Sequence, residues 1–242
     1  MGLTGIVAEE FEDRDLSGSV FWGVNLKRVY VRDANLAGAR FFHTQWTDVS
    51  IDGVVERLVV NGVDVTDYVN QHDRWFPLRT QLEPTIDAEL RQSWATLQVE
   101  WAALIDRLNA FDPAAPLVSV DGEWSLRDTC RHLIFVMDKW FRWPILGERT
   151  FSSIGLPNSG SRDFPWPGLD LEADPSFSEV LVKCAGDADD FTAYIETHSL
   201  AELPETADVL ENGTVPALAC FHTVLEEEFE HLRYALRDLA RI

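Results

Sequence analysis

HTVLEEEFEHLRYALRDL, residues 222–239, decides the fold. At about 100° per residue, Phe221, Val224, Leu225, Glu228, Leu232, Ala235, Leu236 and Leu239 cluster on one side of a helix, with Glu228 the one polar member of the stripe. His222 and Glu226 fall on the opposite flank, beside Arg233 and Arg237 on the solvent side. Glu227 and His231 are four apart and therefore stack on one face, bordering the apolar stripe next to Val224. The stretch thus predicts a helix packed against other helices, with a carboxylate and an imidazole at the edge of its buried face.

Working outward, IDAELRQSWATLQVEWAALIDRL (86–108) repeats the pattern, with Leu90, Trp94, Leu97, Trp101, Leu104 and Leu108 three and four residues apart. In DGEWSLRDTCRHLIFVMDKWFRWPILG (121–147), Ser125 reads as an N-cap and Asp128 as an acidic first-turn residue. Leu126, Thr129, Cys130, Leu133, Met137 and Trp140 form this helix's stripe, and His132 flanks it. A further helix is predicted from about Ser176 to Glu196, and the last from about Thr214 to Leu239. Four long helices with no further strand signal make a bundle. The long connection at 148–175, rich in Pro, Gly and Ser, carries Phe151, Phe164 and Trp166. They are candidates for an aromatic lid, with packing against the bundle as the alternative.

The first third follows another rule. Every fifth residue from Phe11 is large and apolar: Leu16, Phe21, Leu26, Val31, Leu36, Phe41, Trp46 and Ile51. Neither a helix nor a strand produces a period of five, whereas a short-repeat solenoid does. VERLVVNGVDVTDYV (54–68), with its NG dipeptide, reads as a closing strand and turn. The predicted organisation is a repeat segment at 1–70 and a helix bundle at 71–242.

Composition narrows the function classes. The 242 residues are 46% hydrophobic and carry a net charge of −21, with a mean hydropathy of −0.11. That charge disfavours nucleic-acid phosphates and anionic membranes as partners. No run of eighteen apolar residues and no signal peptide is readable, so the expected location is cytoplasmic. Cys130, Cys184 and Cys220 lie in predicted helices without CxxC spacing, as befits reduced, buried thiols. Wheel position puts His132 and His231 where facing helices of a bundle build metal sites, although a histidine beside a core is more often a hydrogen-bonded packing residue.

The units DLSGS, NLKRV and ANLAG resemble the pentapeptide-repeat family, which implies a short right-handed β-helix with Leu16, Phe21, Leu26, Leu36, Phe41 and Trp46 inward. The 121–147 stretch followed by 222–239 resembles the DinB-like family, related to bacillithiol- and mycothiol-dependent transferases. This resemblance implies a mainly α fold, an up-down-type four-helix bundle behind the β-helix segment. It also implies a divalent metal held by a histidine of the second bundle helix and two histidines four apart on the last. His132 and His231 match the outer positions, and Glu227 stands where the middle histidine usually is. The implied ligand set is His132, Glu227 and His231, which suits Zn²⁺ and also admits Ni²⁺, Mn²⁺ or Fe²⁺. The implied activity is a metal-dependent transfer of a low-molecular-weight thiol. A metal-dependent hydrolase and a non-catalytic metal- or partner-binding module are the alternatives. The expected partner is a small-molecule substrate, with a homodimer as the candidate assembly.

Overall fold

The computed structural model describes residues 11, 14–31 and 34–242. The chain divides into two compact units, Met1–Asp52 and Gly53–Ile242.

In the first unit the period of five is written into the backbone. Gly18, Gly23, Arg28, Gly38, His43 and Asp48 all have positive φ, and each follows a large apolar repeat residue by two positions. Every second repeat closes a turn in which Ser19, Val29 and Ala39 N–H donate to the carbonyls of Leu16, Leu26 and Leu36 at 3.0 Å. The Asp15, Asn25 and Asn35 side chains accept from the backbone two residues on. The β-helix expectation is nevertheless corrected. Among the described residues this unit holds no strand. The side chains expected inward, Leu16, Phe21, Leu26, Leu36, Phe41 and Trp46, are 42–59% exposed. A solenoid buries its faces only between stacked coils, and nine short units supply too few of them.

The second unit opens with a hairpin, β1 (Val59–Val60) against β2 (Val63–Asp64), turned by Asn61 and Gly62 at φ 50° and 82°. Two short helices follow, α1 (Thr66–His72) and α2 (Phe76–Arg79). The bundle is built from α3 (Asp87–Arg107), α4 (Leu126–Met137), α5 (Phe177–Thr197) and α6 (Ala217–Leu239). Its helices pack as a ring, α3 on α5, α5 on α4, α4 on α6 and α6 on α3. Ser176 starts α5 with a capping box that Glu179 completes. α4 runs on as a π-helix over Asp138–Leu146, containing Pro144, and stops at Gly147 with φ 72°. A proline has no N–H and crowds the carbonyl four residues back, which the wider turn accommodates. A second hairpin, β3 (Thr206–Asp208) with β4 (Thr214–Pro216), corrects the expectation that no strand follows the first third and delays α6 to Ala217. No helix among the described residues is long and apolar enough to cross a membrane.

The core is aromatic at its centre. Phe191 packs against Trp94, Phe141 and Phe221 with ring centroids 4.5, 4.9 and 5.6 Å away. The Trp94 indole N–H donates to Thr192 Oγ1 at 2.8 Å, so this large ring leaves no polar atom unpaired.

The 148–175 connection is part of the scaffold, which removes it as a lid. Phe151 and Trp166 are buried with Phe135 of α4 in a second small core. Leu156 N–H donates to the Arg131 carbonyl, and Arg131 Nε donates to the Ile154 carbonyl, both at 3.0 Å. Covered on this side by the connection, α4 has every residue from Thr129 to Met137 buried. Gly168 makes the wrapping possible. Its φ is +87°, and a Cβ there would lie 2.5 Å from Thr150 Cγ2 and 2.8 Å from the Phe151 carbonyl oxygen. Gly168→Ala is therefore expected to lower stability by about 1–3 kcal/mol, read as an earlier denaturant midpoint. An unchanged midpoint would contradict the close approach.

Candidate metal centre

The first turn of α4 is fixed by Ser125, whose side chain accepts from Asp128 N–H. Two turns on, His132 is carried to the edge of the bundle beside α6. Its Nδ1 lies 2.9 Å from the Leu156 carbonyl oxygen. Because a carbonyl only accepts, Nδ1 carries a proton; Nε2 faces Glu227 Oε2 at 3.4 Å, where protonated it donates to the carboxylate and deprotonated it offers a lone pair to a cation. His231 repeats the device on α6, with Nδ1 2.9 Å from the Glu227 carbonyl oxygen one turn earlier. Backbone carbonyls thus orient both rings through Nδ1, the outer-shell arrangement that metal-binding histidines use.

The structure brings His132, Glu227 and His231 together, with one ligand atom from each all within 4.8 Å of one another. Glu227 Oε2 lies 3.4 Å from His132 Nε2 and 3.3 Å from His231 Nδ1. The two imidazole centroids are 4.8 Å apart. Burial pushes the Glu227 carboxyl up, but the His132 hydrogen bond and the charges of His132, His231 and Lys139 outweigh it and hold the group below the usual range. An anionic carboxylate between two imidazoles oriented by backbone carbonyls fits a divalent ion.

Glu228, next in sequence, points the other way. It is buried in the bundle, where burial first, and then Asp187 and Glu227, push its carboxyl up to about 8. That shift favours its neutral form, and Glu228 lies outside the cluster that could hold a metal. Cys130 is buried, and the Cys184 thiol donates to the Cys130 carbonyl at 3.5 Å. Its hydrogen bonding to Cys130, followed by burial, raises the Cys184 pKa, which suits packing rather than nucleophilic attack.

Two neighbours of the site are absent from the sequence-based set. Trp124 lies against both imidazoles, with centroids 4.8 Å from His132 and 6.2 Å from His231. Lys139 is buried, with Nζ 2.7 Å from Glu211 Oε1, and that carboxylate also accepts from Ser161 Oγ. Trp124 directly precedes the N-cap, a signal readable only in hindsight. The Leu156 carbonyl carries no side-chain signature at all.

The opposite flank of α6 is more covered than the wheel expects, with His222 and Arg233 half-buried. His222 Nε2 lies 2.9 Å from the Pro84 carbonyl oxygen, tying α6 to the segment before α3, and Glu226 is exposed. His222→Ala should leave metal content unchanged while costing about 1 kcal/mol of stability for the lost hydrogen bond. Metal lost from that variant, with its circular dichroism intact, would place the centre on the wrong flank.

A family model described as the DinB superfamily matches residues 52–235, which is more than half of the chain. No curated protein and no solved structure matches it.

Proposed function

Because the chain belongs to the DinB superfamily, we propose that His132, Glu227 and His231 hold one divalent metal ion and that the protein is a metal-dependent enzyme transferring a low-molecular-weight thiol to an electrophile. The observation that carries this reading is the convergence of two imidazoles and one carboxylate from two helices, with both rings oriented by backbone carbonyls.

Zn²⁺ is the expected ion, and a set of two histidines and a carboxylate also accommodates Ni²⁺, Mn²⁺ and Fe²⁺. A divalent ion with a free coordination position acidifies a bound thiol or water, so that the deprotonated form exists at neutral pH. The chain's own part is to supply three donors and to hold them. The Leu156 and Glu227 carbonyls orient the imidazoles, and the Glu227 carboxylate neutralises one unit of cationic charge. Its carboxylate replaces the third histidine of the resemblance, which leaves a less electrophilic centre.

A hydrolase using water is the second reading, favoured by the donor set itself, since two histidines and a glutamate serve zinc hydrolases. Elemental analysis of protein purified without a histidine tag tests the metal, with one equivalent per chain expected. Turnover of an electrophile that requires added thiol supports transfer, and turnover independent of thiol supports hydrolysis. Protein free of metal, and unable to take it up, would reduce the chain to a binding module.

A further inference from the structure

Trp124 lies beside both histidines of the centre and is more open to solvent than either. His132 and His231 are 5% and 9% exposed, and Phe135, whose ring lies 6.1 Å from that of His132, is 2% exposed. The Nδ1 atoms face backbone carbonyls. Trp124 lies nearly parallel to His231, at 25°, and still keeps 36% of its surface exposed.

Its position is set by the chain around it. Ser125, the next residue, is the buried N-cap of α4. The preceding turn is closed by the Glu123 N–H donating to the Val120 carbonyl at 2.9 Å and Ser119 Oγ donating to the Glu123 carbonyl at 2.5 Å. Asp121 of that turn is paired with Arg241, beyond the end of α6. A large indole is thus held against the two histidines with part of its surface open to solvent. Holding an aromatic ring in place before a ligand arrives lowers the ordering cost of binding.

Resting on the metal reading above, we infer that Trp124 is the stacking wall for the substrate and that the electrophile presents a planar, uncharged ring to it. Stacking on an indole rewards a flat π-system. Charge selects against the other classes. The net charge of −21 repels anionic substrates. Lys139, buried near the site, is already held by Glu211. A divalent ion offset by one carboxylate leaves positive charge at the centre and repels organic cations. A neutral planar group meets none of these penalties.

The full-length protein loaded with Co²⁺ offers a test, its visible spectrum reporting a nitrogen donor entering the centre. The probes are 4-phenylimidazole and 4-methylimidazole, which share the donor and differ in the ring. Wild type should bind the phenyl compound about tenfold more tightly. Trp124→Ala should lose that preference, and Trp124→Phe should keep most of it, with cobalt content equal in all three. Equal affinity of wild type for the two probes, or an unchanged preference in Trp124→Ala, would overturn the inference and leave the metal reading standing. Failure of wild type to take up cobalt would overturn both.

Discussion

Replacing either His132 or His231 with alanine should abolish stoichiometric metal binding. Each imidazole is one of only two nitrogen donors in the cluster, and removing one leaves a carboxylate and a single nitrogen. Losing an outer-shell partner of a metal ligand already weakens affinity by roughly 10–100-fold, so losing the ligand should cost at least that much. Glu227 gives the sharper discrimination. Glu227→Ala should weaken binding strongly, because it removes the oxygen 3.4 Å from His132 Nε2 and 3.3 Å from His231 Nδ1. Glu227→His should retain metal, since an imidazole at that position restores the three-histidine set implied by the resemblance. Metal per chain after dialysis against a weak chelator measures all four variants. A His231→Ala protein that kept one equivalent would sink the proposed site.

How much of this was legible follows from what each contact is made of. The stripes of α3 and α6 could be read because side chains repeat with the helix, and Leu90, Trp94, Leu97 and Trp101 are all buried as their spacing requires. The same wheel separated Glu227 and His231 from His222 and Glu226. For α4 it identified one apolar face and missed that the other is covered too. That cover is made largely by backbone, with Leu156 and Ile154 meeting Arg131 through amide and carbonyl groups that no side-chain pattern reveals. The hairpin of β3 and β4 escaped because three-residue strands are too short to show alternation. In the first unit the repeat correctly marked a backbone of period five. It could not report burial, which depends on how many coils stack.

Arg142→Met should destabilise the bundle by about 3–5 kcal/mol at pH 8, a large part of the ~5–15 kcal/mol that holds a domain folded. Arg142 donates through Nε and Nη2 to Asp187 Oδ1 at 3.0 and 2.8 Å, and through Nη1 to Glu148 at 3.2 Å. It also pairs with Asp190, and its Nε lies 3.7 Å from Asp138 Oδ1. Asp138 and Asp187 are both nearly inaccessible to solvent. Methionine keeps much of the stem's packing and removes the charge, leaving Lys183, already paired with Asp187, to face two buried carboxylates. The deficit should depend on pH. Burial pushes the Asp138 carboxyl up to about 6, with Asp187 adding to the rise and Ser152 N–H, Lys183 and Arg142 opposing it. A group raised in the folded state stabilises most below its unfolded pKa of 3.8, and that contribution fades as pH climbs through 6. Without Arg142 the folded value moves higher still, so the penalty is smaller at pH 5 than at pH 8. Asp138→Asn in the same background should recover part of the loss at pH 8 and little at pH 5. Denaturant midpoints at the two pH values decide it, and equal deficits at both would mean that Asp138 plays no part in the penalty. The consequence reaches the metal centre, because Asp138 Oδ2 also accepts from Ser152 N–H at 2.7 Å. That bond anchors the connection whose Leu156 carbonyl orients His132. Loosening the charge cluster should therefore weaken metal retention in Arg142→Met without any change to a ligand.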